Sequence, residues 1–249
     1  MTKVSESELE RWFEMAFENH VNEAQFYTLL KDAQVYVHVP TSDDSKFVRL
    51  IQFRHPGGFD AIPVFTSGHR SLQAESRSVR TLRIPCIELF KAVQGATLVV
   101  NPNDGGPTLY PEEINRLLDG KALENIEKSE IQQGTLHVRP VESPPDTIVR
   151  ALRSCFAAVP YLRDAYILER WTDGGKQEAA LLIYIGVNAA HIERAVRYVL
   201  TVLQDLKPSY DKAIDVAAYP AEDGRPEFLD QVGAVPFSVG RLARRGGKA

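Results

Sequence analysis

Residues 97–120 read TLVVNPNDGGPTLYPEEINRLLDG, and the organisation of the chain is read outward from them. The apolar run Leu98-Val99-Val100 is short enough for a buried strand, and it breaks at Asn101-Pro102 into a turn-rich loop holding Gly105, Gly106 and Pro107. Pro111 then opens a helix, because its fixed φ and missing donor suit the first helical position. Glu112 and Glu113 follow in the first turn, where the macrodipole favours negative charge. Asp119-Gly120 supplies a C-terminal glycine stop. A strand, an Asn-Pro loop and a helix in direct succession predict a sheet with helices packed on it. None of the three is a chemical motif.

Upstream, Ser5 or Ser7 starts a helix with Glu8 and Glu10 near its positive end. Leu9, Trp12, Phe13, Phe17, Val21, Ala24, Tyr27 and Leu30 continue it at spacings of three and four, which predicts one long amphipathic helix. Alternation in Gln34 to Val39 and again in Phe47 to Phe53 predicts two strands, and Phe59 to Phe65 a third. The third strand runs out at Thr66-Ser67, whose hydroxyls suit the N-cap of a short helix near His69 to Ala74. Val79 to Ile84 reads as a fourth strand. Pro85 opens a helix over Cys86 to Val93 that stops at Gly95 and leads back to residue 97.

Downstream, the composition turns charged and Gln-rich from Lys121, passes a short strand at Thr135 to Val138, and reaches Pro144-Pro145. The domain boundary falls in this stretch. The second half predicts a helix over Asp146 to Ala158, a strand over Asp164 to Trp171, a turn at Asp173-Gly174-Gly175 and an apolar strand over Ala179 to Val187. A helix over Ala189 to Leu206, a strand over Ile214 to Tyr219, a short helix over Pro226 to Gln231 and a final strand over Val235 to Val239 close it. The expected fold class is α+β: two α/β sandwich-like domains with mixed or mostly antiparallel sheets, and helices packed against one face. The units are residues 1–125, a linker at 126–145 with a short strand, residues 146–240, and a basic Gly-rich tail at 241–249.

Composition narrows the function. The 249 residues carry a net charge of -4 and are 44% hydrophobic, which fits globular domains and argues against general nucleic-acid binding. The two cysteines, Cys86 and Cys155, have no pairing pattern, so no disulfide framework is expected. No stretch approaches the roughly 20 apolar residues of a membrane span, and MTKVSESELERWFEM holds no apolar signal core. The expectation is a cytoplasmic protein with no membrane span.

Several phrases, taken in order, resemble one family. They are Val35 to Pro40 (VYVHVP), Ile62 to Ser67 (IPVFTS), Leu98 to Pro102 ahead of Tyr110-Pro111-Glu112-Glu113-Ile114, and Val235-Pro236-Phe237. Gln133-Gly134-Thr135, Pro144-Pro145 and Ala165 to Leu168 extend the likeness. Together they resemble the bacterial SseB family, the enhanced serine sensitivity proteins, with both its N-terminal and its C-terminal domains. The family name records a phenotype, so the resemblance implies a fold and no catalytic residues.

Chemical readings of single residues stay thin. Cys86 at a helix start invites a thiol enzyme, but without a placed base a buried structural cysteine is expected. The six histidines are scattered singly, so no metal site and no cofactor are expected. Thr66, Ser67 and Arg70 offer hydroxyls, backbone donors and a guanidinium for a small anionic ligand. Phe65 to Arg70 and Asn101 to Tyr110 both leave strand C-termini, so the candidate partner- or ligand-binding residues are Phe65, Thr66, Ser67, Arg70, Asn101, Asn103 and Tyr110, with no catalytic set. The expected function is that of a non-catalytic interaction or adaptor protein with a protein partner. The alternatives are a small-ligand sensor on the same loops, and a hydrolase or thiol enzyme with a histidine in reach of Cys86, Ser67 or Thr66. Exposed aromatics on the first helix would imply a homodimer.

Overall fold

The computed structural model describes residues 4–42, 47–123, 136–171, 179–206 and 213–237. The chain divides into two compact units, Met1–Glu127 and Lys128–Ala249, and the fold class is α+β.

In the first unit the strands are β1 (Gln34–Pro40), β2 (Phe53–Arg54), β3 (Asp60–Phe65), β4 (Val79–Pro85), β5 (Thr97–Val100) and β6 (Thr108–Leu109). Their order is β4-β1-β3-β5-β6, with β2 on the N-terminal half of β3. All pairings are antiparallel except that of β3 with β5, which is parallel. The helices are α1 (Glu6–Glu18), α2 (Glu23–Asp32), α3 (Gly68–Gln73), α4 (Cys86–Ala92) and α5 (Pro111–Leu118). The opening stretch folds as its residues dictate. Glu113 reaches back to accept from the Tyr110 N–H at 2.9 Å at the head of α5, and Gly120 ends that helix at φ 75°.

Three expectations are corrected in this unit. The long first helix is two helices. Asn19 leaves α1 in extended backbone, its side chain accepts from Val21 N–H, and Asn22 donates to the Met15 carbonyl, so the two amides cap a break. Phe17 and Val21, which continue the apolar period, are therefore exposed. The strand expected over Phe47 to Phe53 shrinks to Phe53–Arg54. β1 holds the C-terminal half of β3 at Val64 and Phe65, which leaves a newcomer only Asp60 and Ala61 to pair with. Helices also cover more than one face: α3 lies over the side of the sheet that carries His38 and Phe65. His38 Nε2 there stands 3.0 Å from the Ser71 carbonyl and 3.1 Å from Ser71 Oγ, and Ser71 Oγ is 2.8 Å from Thr81 Oγ1.

The second unit has a sheet of order β10-β9-β8-β7. Its strands are β7 (His137–Pro140), β8 (Leu162–Trp171), β9 (Ala180–Val187) and β10 (Ile214–Pro220), and only β10 and β9 run parallel. α6 (Asp146–Ala158) and α7 (Ile192–Gln204) bury Ile148, Leu152, Val199 and Leu203 against Ile183 and Ile185. α8 (Glu227–Gln231) packs Leu229 with Tyr166, Leu182 and Tyr219, a second buried group, so this sheet too is covered by more than one layer. The final strand reduces, among the described residues, to a single bridge between Phe237 and Ala165. The turn at Asp173 to Gly175 and the basic tail lie outside the described residues.

Within this second group, Tyr219 donates to Asp164 at 2.7 Å beside Gly186, where a Cβ would stand 2.5 Å from Asp164 Oδ1. Burial, then the bond to Asp164, raises the Tyr219 phenol above its ordinary value; burial raises Tyr166 and Tyr184 as well. A phenol whose folded value is raised contributes stability that is complete below its ordinary value, near 10, and is lost as pH rises beyond it. Melts followed by circular dichroism should therefore show a midpoint that falls above about pH 10, and Tyr219→Phe should make that fall shallower. An unchanged slope would refute the assignment.

Candidate functional site

β3 and β5 are parallel neighbours, and the chain leaves them in opposite directions. After β3 it passes through α3 to β4 at one edge of the sheet, and after β5 it turns to β6 at the other. Divergence of this kind opens a crevice at the strand C-termini, the place where sheets with parallel strands hold ligands. Thr66, Ser67 and Arg70 lie on the β3 side, and Asn101 to Asp104 lie on the β5 side.

Asn101 joins the two sides. It is fully buried and adopts a left-handed backbone at φ 45°, a conformation asparagine tolerates better than most residues. Its side-chain oxygen accepts from Thr66 N–H at 3.0 Å, its amide donates to Thr66 Oγ1 at 2.7 Å, and its own N–H donates to the Val64 carbonyl at 2.8 Å. The loop then folds back so tightly that a Cβ on Gly106 would lie 1.9 Å from the Val100 carbonyl oxygen and 3.0 Å from the Phe13 ring. Glycine is required there by close approach.

α1 fills the crevice. Leu9, Phe13 and Ala16, at helical spacing, enter the core beside Phe26 and Leu30, while Glu6, Glu10 and Glu14 form a neighbouring stripe. Glu10 accepts from the Thr66 hydroxyl with one oxygen and from Arg70 Nε, at 2.8 Å, with the other. Glu6 accepts from Tyr36 OH at 2.6 Å and from Gly68 N–H at 3.4 Å. Arg70 also donates to Asp104 at 2.6 Å, stands 3.8 Å from Glu14, and has its guanidinium 5.0 Å from the centre of the Phe13 ring.

Not all of these contacts weigh equally. Arg70 is 17% exposed and Glu10 24%, so their charge-assisted bond is worth about 1.5–3 kcal/mol, whereas the longer pair with exposed Glu14 adds little. Partial burial disfavours the charged guanidinium, but hydrogen bonds and charge from Glu10 and Asp104 raise Arg70 above its ordinary value. The hydrogen bond to Glu6, reinforced by burial and by the carboxylate charge, raises the Tyr36 phenol.

The structure thus brings together four of the seven candidates, Thr66, Ser67, Arg70 and Asn101, and buries all but Arg70, which is half-buried. Ser67 caps α3 by accepting from Arg70 N–H. Phe65 is buried with its ring 4.8 Å from His38, Tyr110 is buried 6.0 Å from the Phe59 ring, and Asn103 is exposed on the loop. Sequence reasoning missed Glu6, Glu10, Glu14 and Asp104. The signal for three of them was a carboxylate every fourth residue in α1, with no local trace of the partner some 60 residues away.

The thiols stand apart from the crevice chemistry. Burial, with the charge of Asp32, pushes the Cys86 thiol well above its ordinary value, and burial pushes Cys155 up to about 12. Among the described residues no group of three or more His, Cys, Asp or Glu side chains is placed to hold a metal ion, and no helix is long and apolar enough to cross a membrane.

An α+β unit whose own N-terminal helix is seated across a strand-end crevice is the class these observations define. Residues 9–116 match the SseB protein N-terminal domain, so the first unit is similar to that domain. No curated protein and no solved structure matches the chain.

Two substitutions probe the crevice. Gly106→Ala should lower the stability of the first unit by roughly 1–3 kcal/mol through forced displacement of Val100 or Phe13. Thr66→Val should cost roughly 1–3 kcal/mol, because the buried Asn101 amide loses its acceptor. Urea unfolding of the full chain measures both, and wild-type midpoints would contradict the packing described.

Proposed function

We propose that the chain is a non-catalytic interaction protein, an adaptor whose first unit recognises a protein partner. The observation that carries this reading is the occupancy of the crevice. Its hydroxyl, amide and guanidinium groups hold a helix by hydrogen bonds, charge and apolar packing, the means by which grooves recognise amphipathic helices. The two buried thiols, both held toward the protonated form, further support a role without nucleophilic catalysis, in a reducing cytosol.

The surface beside the crevice suits the same role. Phe17 is 62% exposed at the end of α1 next to Gly105, and Asn103 stands exposed on the same loop, so an aromatic and a carboxamide lie on the rim. We assign the second unit, with its β10-β9-β8-β7 sheet, to the SseB C-terminal domain on the phrases from Pro144 to Leu168 and at Val235 to Phe237. The small-ligand sensor reading draws less support, because Thr66 and Arg70 already bond to carboxylates of the protein.

Native mass spectrometry of the tagged full chain, recovered gently from cells that express it, should show a stoichiometric second polypeptide. Phe17→Ser should weaken that complex at unchanged circular dichroism. A bare chain from both preparations would overturn the adaptor reading, and a retained small molecule would replace it with the sensor.

A further inference from the structure

The groups that meet α1 at the ends of β3 and β5 are joined to one another by bonds in which α1 takes no part. Thr66, Asn101 and Asp104 sit on the loops that leave β3 and β5, Gly68 and Arg70 lie in the first turn of α3, and Asn101 holds Thr66 through two hydrogen bonds of its own. α1 supplies the carboxylates that bond to Thr66, to Gly68 N–H and to Arg70, and it supplies Leu9 and Phe13 for the apolar bed beside them. It is followed at once by the capped break at Asn19 to Asn22, which separates it from α2 and its core residues Phe26, Tyr27 and Leu30. The occupant on view is thus an amphipathic helix with acidic residues four apart, joined to α2 through a capped break.

We propose that α1 is a displaceable occupant of this crevice, and that the partner's contribution is an amphipathic helix of the same chemistry: carboxylates at i and i+4 for Arg70, Thr66 and Gly68, and an apolar stripe alongside. The proposal rests on the interaction reading and gives it a ligand class and a regulatory step. α1 keeps the donors satisfied in the free chain, and a helix in trans enters by taking its place. Apparent affinity is then set by the fraction of chains with α1 released, so weakening the grip of α1 tightens binding in trans.

A labelled synthetic peptide of residues 4–19 serves as the probe against the full chain. The half-saturating concentration should fall at least tenfold for full-length E6Q/E10Q relative to wild type, because the resident helix then lacks the carboxylates that the peptide retains. A peptide with Gln at positions 6 and 10 should lose that gain. The proposal is overturned if the folded double variant binds the peptide no better than wild type, if the Gln peptide binds equally well, or if free glutarate displaces the labelled peptide at matched concentration. Should the variant not fold, hydrogen exchange of the wild-type chain decides: α1 amides should exchange at least tenfold faster than those of β3 and β5, and equal rates overturn release. Failure here with a partner still seen by mass spectrometry leaves the adaptor reading standing; peptide binding without any cellular partner does the reverse.

Discussion

The buried carboxamide of Asn101 is the constraint on which the first unit depends. An amide NH2 only donates and an amide oxygen only accepts, so the bond from Asn101 Nδ2 makes Thr66 Oγ1 an acceptor, and the bond from Thr66 N–H takes the amide oxygen. The Thr66 hydroxyl hydrogen must then point elsewhere, and Glu10 receives it. One side chain therefore ties two parallel strands together at their ends and sets the polarity of the contact with α1. The left-handed backbone at Asn101 is part of the same arrangement, since it turns the chain back over β5 and brings Gly106 under the Val100 carbonyl.

Around that constraint the unit separates into a rigid part and a dependent part. β1, β3 and β5 are buried along most of their length, and β3 is buried at every position after Asp60, so these strands define the core. α1 is held by Leu9, Phe13 and Ala16 in the core, by Trp12 packed against it, and by a set of charge-assisted bonds at its edge. The contacts of α1 are separate from the backbone pairing of β3 with β5.

Much of the fold was legible because its signals are local. Pro111 with its acidic first turn, Gly120, Ser67 as a cap and the limits of α6 are all set by residues within one turn of the boundary they mark. What misled was period without context. Phe17 and Val21 extend a faultless helical stripe, yet two asparagines caring only for nearby backbone end α1 at Glu18. Phe47 to Phe53 alternates as a strand should, but the sheet offers it only the short N-terminal stretch of β3. The site divides in the same way. Loops leaving strand ends marked Thr66, Arg70 and Asn101 as candidates, whereas the pairing of Thr66 and Arg70 with Glu10 spans more than 50 residues and exists only once α1 has docked.

Asp104 adds a step to this picture. It belongs to the β5 loop and not to α1, and its 2.6 Å bond to Arg70 Nη1 joins that loop to α3. A guanidinium has a planar fork of donors, and anchoring one arm fixes the plane of the rest. With Asp104 on Nη1, the Nε edge is left for Glu10. The order lost and regained by Arg70 on exchange of one helix for another is thereby reduced, which favours binding by preorganisation. The same pairing weakens the attraction of the site for a free acid, because Asp104 already offsets the charge of Arg70. An incoming carboxylate thus depends on the apolar stripe beside it, and that dependence selects an amphipathic helix over an anion alone.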